Sequence, residues 1–314
     1  MKFLILGAGG IGSYYGTKLL DSGHEVVFVA RGNHLSAMQQ NGLKLQHPKF
    51  SFHKDVLALS FDEIKSIKPQ TIDAVLITTK STTSQQLAQD LSLVFKDQKN
   101  PPFIVSLQNG VENEDIFSNF FPKTKIIGAL TRKIGAHIIK PGVIEVTGVV
   151  ETIVGSLEHS VQNESFIKEF SKILEEAGIS CEITKDIKLE LWKKLIINNG
   201  VNAICALLEI KTGVLMNDKK LSKIVYGLMC ETATAARALN IKISNKDLNS
   251  MYELIKNFDS IKPSMLVDRE FKREIELDEI CGVVMKYNKK QDIDSPYTRT
   301  VSTLLEFIYN HEKE

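Results

Sequence analysis

Residues 7–12 read Gly-Ala-Gly-Gly-Ile-Gly, a spacing that lets bare backbone come close to a charged ligand. Where such a run opens a helix, unpaired N–H groups point at phosphate oxygens and the positive end of the helix dipole adds to the attraction. Gly7 would permit the tight turn, Gly9 the close approach of a pyrophosphate, and Gly12 the packing of helix on strand, with Ala8, Gly10 and Ile11 completing the loop. Glycines also serve ordinary turns, so the context decides. Phe3–Leu6 is a short apolar run suited to a strand buried on both faces, and Ile11–Leu20 reads as a helix. Glu25–Ala30, after the turn Ser22-Gly23-His24, supplies a second strand and completes a βαβ unit.

The residue after that second strand discriminates between dinucleotides. An acidic side chain there bonds a ribose 2′-hydroxyl, whereas this chain has Arg31, which can fork onto a 2′-phosphate. NADPH is therefore expected over NADH. Two further strands are expected at Asp73–Thr79, ending at Lys80, and at Phe103–Leu107, ending at Gln108-Asn109-Gly110. Ligands of open α/β sheets lie beyond the carboxyl ends of the strands, which makes Lys80 and Asn109 candidates for lining the cofactor cleft. The plainer readings are a surface lysine and a turn asparagine.

A different chemistry is offered further along. Lys194, Asn198 and Asn202 are spaced i, i+4, i+8 on a segment otherwise rich in Leu, Ile and Val, so they share one helix face. Asparagine is a poor helix former, and a solvated face would favour Glu, Lys and Gln. The stripe reads as ligand hydrogen-bonding groups or as an unusual solvated face. Ser264 and Asp268 look like helix-start residues, with Ser264 a natural N-cap. Glu274, Glu276 and Asp278 alternate through apolar neighbours, and spacing alone does not select among them.

These residues need two kinds of scaffold. The chain has 314 residues, of which 25% are charged and 43% hydrophobic, with a formal net charge of +1. That length suits two domains. The charge balance argues against nucleic acid or a membrane surface as partner, and no apolar run is long enough to span a bilayer. The first apolar run belongs to a strand, so no signal peptide is expected and the chain reads as cytoplasmic. Cys181, Cys205, Cys230 and Cys281 are scattered without metal-ligand spacing, so reduced thiols and no metal site are expected.

The first 185 residues alternate strands and helices. Lys125–Gly128 reads as a short strand, Gly142–Gly155 as antiparallel strands at a sheet edge, Phe166–Ala177 as a helix stopped by Gly178, and Cys181–Thr184 as a last strand. Beyond residue 186 strand signals nearly vanish. Leu189–Leu208, Leu221–Leu239, Lys246–Lys256, Phe271–Lys289 and Thr298–His311 read as helices. The expected architecture is α/β, with a Rossmann-type NADP-binding domain over 1–185 and an all-α substrate and catalytic domain over 186–314. Helical second domains of this kind can pair as homodimers, although no exposed apolar stripe is legible.

The motifs together resemble those of the ketopantoate reductase (2-dehydropantoate 2-reductase) family. They are Gly7 to Gly12, Ala30-Arg31-Gly32, Thr79-Lys80-Ser81, Gln108-Asn109-Gly110, Trp192-x-Lys194-Leu195 with Asn198 and Asn202, Ser264-Met265-Leu266-x-Asp268, and Glu276-x-Asp278. They occur in family order over almost the whole chain. The resemblance implies NADPH-dependent reduction of 2-dehydropantoate to (R)-pantoate, a step toward pantothenate and coenzyme A. It implies that Lys194 is the general acid and that Glu276 binds and orients the substrate hydroxyl and borders the cofactor. Asn198, Asn202 and Ser264 match substrate-binding positions, Asn109 a position between nicotinamide and substrate, and Arg31 and Lys80 positions near the 2′-phosphate. The physical reading agrees, since ketone reduction puts negative charge on oxygen and a positioned ammonium stabilises and protonates it.

The chain departs from the family pattern at Arg132, Lys133 and His137, where small and polar residues are usual, and at Val149-Val150, where another glycine is frequent. Lying in the sheet-edge region, these departures are expected to alter loop shape and substrate fit and to leave the cofactor site alone. Two other readings stand beside this one. A reductase of the same superfamily would act on a different 2-oxo acid, giving a D-2-hydroxy acid. A non-catalytic NADP-binding sensor would keep the glycine loop and Arg31 but need neither Lys194 nor Glu276.

Overall fold

Phe3, Leu4, Ile5 and Leu6 are fully buried, and they alternate between two separate apolar clusters. Phe3 and Ile5 pack with Tyr15, Phe28 and Phe170, while Leu4 and Leu6 pack with Val27, Leu91 and Phe117. A strand apolar on both faces needs cover on both sides, which is the condition of a doubly wound parallel sheet. The computed structural model describes residues 1–257 and 260–312.

The first unit runs β1 (Lys2–Leu6), α1 (Gly10–Asp21), β2 (Glu25–Val29), α2 (Gly32–Asn41), β3 (Leu43–His47), β4 (Phe50–Lys54), β5 (Leu57–Leu59), β6 (Ala74–Ile77), α3 (Ser84–Phe95), β7 (Phe103–Ser106), α4 (Asn113–Ser118), β8 (Ile126–Lys140), β9 (Val143–Ser156), α5 (Val161–Glu176) and β10 (Ser180–Ile183). Its sheet has the order β4-β3-β9-β8-β7-β6-β1-β2-β5, with β10 added alongside β9. From β8 to β5 neighbouring strands are parallel, in the register Ile5↔Phe28 and Ile5↔Leu76. The unit comprises Met1–Gln108 and Glu112–Ile187.

Two expectations about this unit need correction. The short strand expected at Lys125–Gly128 is the start of a fifteen-residue β8 that carries Arg132, Lys133 and His137. Gly142–Gly155 is one strand, β9, antiparallel to β8 and flanked by β3 and β10, so it does not lie at the sheet edge. The hairpin β3–β4 and strand β5, which the pattern did not announce, form the outer sheet instead. The β8–β9 ladder shifts register between Arg132 and Ile134, where Lys133 takes a left-handed φ of 58° opposite Gly148. Such an extra residue bends and twists the strand pair.

The second unit comprises Asn109–Val111 and Lys188–Glu314. It holds α6 (Ile187–Leu208, less its first residue), α7 (Thr212–Asn217), α8 (Leu221–Ala238), α9 (Asn245–Lys256), α10 (Ser264–Glu270), α11 (Val283–Lys289) and α12 (Pro296–His311). The Rossmann-type first unit and helical second unit are the fold class expected. Trp192, Leu195 and Ile196 of α6 pack with Leu228 and Met229 of α8 and with Leu305 of α12 in one apolar core. Glu231 caps α12, accepting from the N–H groups of Tyr297 and Thr298 at 2.8 Å each. The helix expected over Phe271–Lys289 is interrupted. Lys272 adopts φ 52°, Tyr309 donates to the Arg273 carbonyl at 2.7 Å, and residues 273–276 lie in no helix or strand before a π-helical turn at Asp278–Gly282. Among the described residues no helix is long and apolar enough to cross a membrane. On α12, Tyr297, Leu304 and Phe307 are exposed, Phe307 at 61%, and their spacing puts them on one face, an apolar stripe the sequence did not reveal.

Candidate active site

The glycine loop has the geometry its spacing implied. Gly7 adopts φ 97°, which a side chain would strain. The N–H groups of Gly7 and Ala8 turn back to the Val29 carbonyl at 3.2 and 2.9 Å, pinning the loop to the end of β2. A Cβ on Gly12 would lie 2.3 Å from the Gly7 carbonyl oxygen and 2.4 Å from Thr78 Oγ1, so α1 rests directly on β1 and the end of β6. A Cβ on Gly9 would meet nothing nearer than 4.0 Å. That open cradle, beside the first-turn N–H groups of Gly10, Ile11 and Gly12 and with no acidic residue in the first turn of α1, fits a pyrophosphate.

The other sequence-derived cofactor residues surround the same strand ends. Arg31 is exposed and caps the start of α2, directly after β2. Lys80 is half-buried where β6 gives way to the turn before α3. Gln108 was singled out only as part of a tripeptide, yet it organises this corner. Its buried amide donates to Ser84 Oγ at 2.9 Å and lies 3.2 Å from the Lys80 carbonyl, and Ser84 in turn donates to Asn113 Oδ1 at 2.7 Å. Thr78 Oγ1 donates to the Gly7 carbonyl at 2.8 Å.

The strand that carries Arg132, Lys133 and His137 passes against the glycine loop. A Cβ on Gly10 would fall 1.9 Å from the Ala136 carbonyl oxygen, so β8 lies against the first turn of α1. The β8–β9 turn meets α2 as well, where His34 Nδ1 accepts from the Gly142 N–H at 3.0 Å. The long β8 carries the segment across the loop, which a short strand ending at Gly128 would not have done.

In the second unit, α6 sorts its polar residues by face. Lys194 and Asn198 are half-buried and Asn202 is 3% exposed, on the stripe that the spacing predicted. Asn199 points elsewhere: its buried amide donates to Thr232 Oγ1 at 2.9 Å and Thr298 Oγ1 at 3.1 Å, tying α6 to α8 and α12. Lys193 pairs with Glu190 at 2.8 Å. Ser264 is exposed and is the first residue of α10, not its cap. Pro263 holds the cap position and its carbonyl accepts the first helical bond, from Val267 N–H. Asp268 is buried inside α10 and does not start a helix.

Among the three alternating acids the structure selects one. Glu274 and Asp278 are exposed, whereas Glu276 is 5% exposed and accepts from Asn109 Nδ2 at 3.0 Å. Residues 273–276 belong to no helix or strand, so the three acids share no regular helix face. Glu279, one turn on, is shifted upward by burial first and then by Glu276, Asp278 and Glu274. Among the described residues no cluster of three His, Cys, Asp or Glu side chains is placed to hold a metal ion.

The family profile described as ketopantoate reductase PanE/ApbA matches residues 3–159, and its C-terminal counterpart matches residues 186–309. The chain belongs to the ketopantoate reductase family. The 2-dehydropantoate 2-reductase of Pyrococcus horikoshii is 30% identical over 94% of this chain and 93% of its own. The crystal structure of 2-dehydropantoate 2-reductase from Geobacter metallireducens is 28% identical, with a TM-score of 0.87 over 98% of this chain and all of that one. The fold is shared with a D-mandelate dehydrogenase, solved as a ternary structure with NADH and anilino(oxo)acetate, at 22% identity and a TM-score of 0.90 over both whole chains. Family membership makes the chain an oxidoreductase, as its motifs implied. Gln108, Thr78, Asn199 and His34 are the supporting residues of this ketopantoate reductase family member that the sequence did not assign. For Gln108 the available signal was its place directly after a buried strand.

Proposed function

We propose that the chain reduces 2-dehydropantoate to (R)-pantoate with NADPH, in the cytoplasm, as a step toward pantothenate and coenzyme A. Gly7, Ala8, Gly9, Gly10, Ile11 and Gly12 hold the pyrophosphate, and Arg31 and Lys80 the 2′-phosphate. Bound there, the nicotinamide supplies the hydride that goes to C2 of the oxo acid. Lys194 Nζ donates a proton to the carbonyl oxygen as negative charge develops on it. Asn198, Asn202 and Ser264 hydrogen-bond the substrate carboxylate and hydroxyl, and Asn109 borders both nicotinamide and substrate.

The observation that carries the substrate assignment is the buried Glu276 carboxylate held by Asn109. A carboxylate only accepts hydrogen bonds, so an O–H on the substrate satisfies it, and a 2-oxo acid lacking a hydroxyl does not. The names of the curated relatives support the same substrate. The exposed face of α12 supports pairing of two copies, which light scattering tests.

The test is NADPH consumption by the purified protein against 2-dehydropantoate, 2-oxoisovalerate, 2-oxoisocaproate and phenylpyruvate. Selective turnover of 2-dehydropantoate, lost in Lys194→Ala, is expected. Preference for a hydroxyl-free oxo acid overturns the substrate, and NADPH binding without turnover of any of them overturns the reaction.

A further inference from the structure

His34 lies half-buried on α2 and reaches two segments far from it in sequence. Its Nε2 is 2.8 Å from the Ala8 carbonyl oxygen inside the glycine loop, and its Nδ1 is 3.0 Å from the Gly142 nitrogen in the β8–β9 turn. A carbonyl only accepts, so Nε2 carries the hydrogen. A backbone N–H only donates, so Nδ1 must be bare. The two contacts together require the neutral ring in one tautomer.

Each anchor is itself fixed. The Ala8 carbonyl also accepts from Ser13 Oγ at 3.0 Å, and the Ala8 N–H donates to Val29. Gly142 adopts φ 74°, and its carbonyl accepts from Lys44 N–H at 2.9 Å. The ring is thus a hydrogen-bonded link between the loop and the strand pair, beside the direct packing of Gly10 on Ala136.

We propose that His34 is a positioning residue for the dinucleotide: its neutral ring ties Ala8 to Gly142, holds the Gly7–Gly12 loop in its binding geometry, and lets go when it is protonated. This rests on the reading that the loop holds NADPH. Protonation puts a hydrogen on Nδ1 facing the Gly142 N–H, so the second contact turns from attractive to repulsive while the first survives. Burial lowers the pKa of the ring, and the Ala8 carbonyl opposes that shift. The charged residues on the packed segments are Arg31 on α2, Lys140 and Lys44 beside the hairpin turn, and Asp55 past β4. All four are exposed, and the ring's shift comes from burial and the Ala8 carbonyl.

The experiment is equilibrium binding of NADPH, followed by its fluorescence, from about pH 5 to 8, on the wild-type chain, His34→Gln and His34→Phe, with kcat at saturating NADPH. The glutamine amide offers one donor and one acceptor and does not titrate. His34→Gln is expected to bind within about threefold of wild type at neutral pH and to lack the extra weakening that wild type shows in acid. His34→Phe is expected to bind about tenfold more weakly at neutral pH, from two lost hydrogen bonds, with kcat nearly unchanged. Titration of the NADPH phosphate itself affects all three proteins alike, so the difference between curves is the readout. Identical acid limbs for wild type and His34→Gln overturn the proposal, as does wild-type affinity in a folded His34→Phe. A wild-type chain that binds no NADPH at any pH overturns both this proposal and the function it rests on, whereas the other failures leave that function standing.

Discussion

Asn109 and Glu276 are 167 positions apart in the chain and meet through a 3.0 Å hydrogen bond from the amide to the carboxylate. Asn109 follows the last residues of β7, yet it and its neighbours through Val111 pack with the helical unit, where Val111 joins the core around Trp192. Replacing Asn109 by Ala leaves a buried carboxylate short of a donor, at a cost of about 1–3 kcal/mol. The expected result is a KM for the oxo acid raised at least about tenfold. Glu276→Gln should lower activity too, and the double variant should lose less than the sum of the two. Strict additivity in this cycle would show that the bond does not matter to the site.

Lys193 and Lys194 are adjacent, but only one is expected to matter for turnover. Lys194→Ala should lower kcat by about 10²–10⁴ while leaving NADPH affinity unchanged, as loss of a proton donor does. Lys193 is engaged with Glu190 on the helix surface, so Lys193→Ala should stay within about twofold of wild type. Steady-state kinetics of the two variants side by side separate these outcomes, and equal effects would remove Lys194 from its role.

Arg31 stands exposed at the end of β2, where the ribose of the dinucleotide would come. Arg31→Glu should exchange an attraction to the 2′-phosphate for a repulsion. The ratio of kcat/KM for NADPH over NADH should fall about a hundredfold, consistent with loss of a charge-assisted pair. An unchanged ratio would mean that Arg31 is merely a solvated side chain.

Gly10 faces β8 at a distance that leaves no room for a methyl group, since its Cβ would lie 1.9 Å from the Ala136 carbonyl oxygen. Both partners are backbone, so neither yields cheaply. Gly10→Ala should destabilise the first unit by about 2 kcal/mol or more. It should weaken NADPH binding as well, whereas Gly23→Ala, on an open turn, tests backbone conformation alone. Thermal unfolding and NADPH titration of both variants check this.

Glu279 gives a pH dependence with a definite sign. Burial, followed by the charges of Glu276, Asp278 and Glu274, raises its pKa in the folded chain. A raised carboxyl binds its proton more tightly folded than unfolded, so its stabilising contribution is full below the unfolded pKa. That contribution is lost as pH rises through the folded value. Glu279→Gln removes the penalty and should raise Tm at neutral pH relative to wild type, with the difference vanishing in acid. An equal Tm difference at both pH values would refute the assignment.

What the sequence determined by itself was local and periodic. The glycine spacing between an apolar strand and a helix fixed the loop, because the φ of Gly7 and the contact of Gly12 with β1 are set within a few residues. The i, i+4, i+8 spacing of Lys194, Asn198 and Asn202 placed them on one face, and the loss of alternation after residue 186 marked the helical unit. Tertiary structure decided everything that depended on a distant partner. Glu276 was one of three acids until the fold buried it against the Asn109 amide and left Glu274 and Asp278 exposed. Residues 125–128 read as a short strand until pairing with β9 extended β8 to Lys140 and over the glycine loop. His34 carried no local signal at all, because both of its partners are backbone groups brought to it by the sheet. Helix and strand patterns record which face a residue presents, whereas the neighbour it presents that face to is chosen only when segments distant in the chain, such as β3 and β9, are paired.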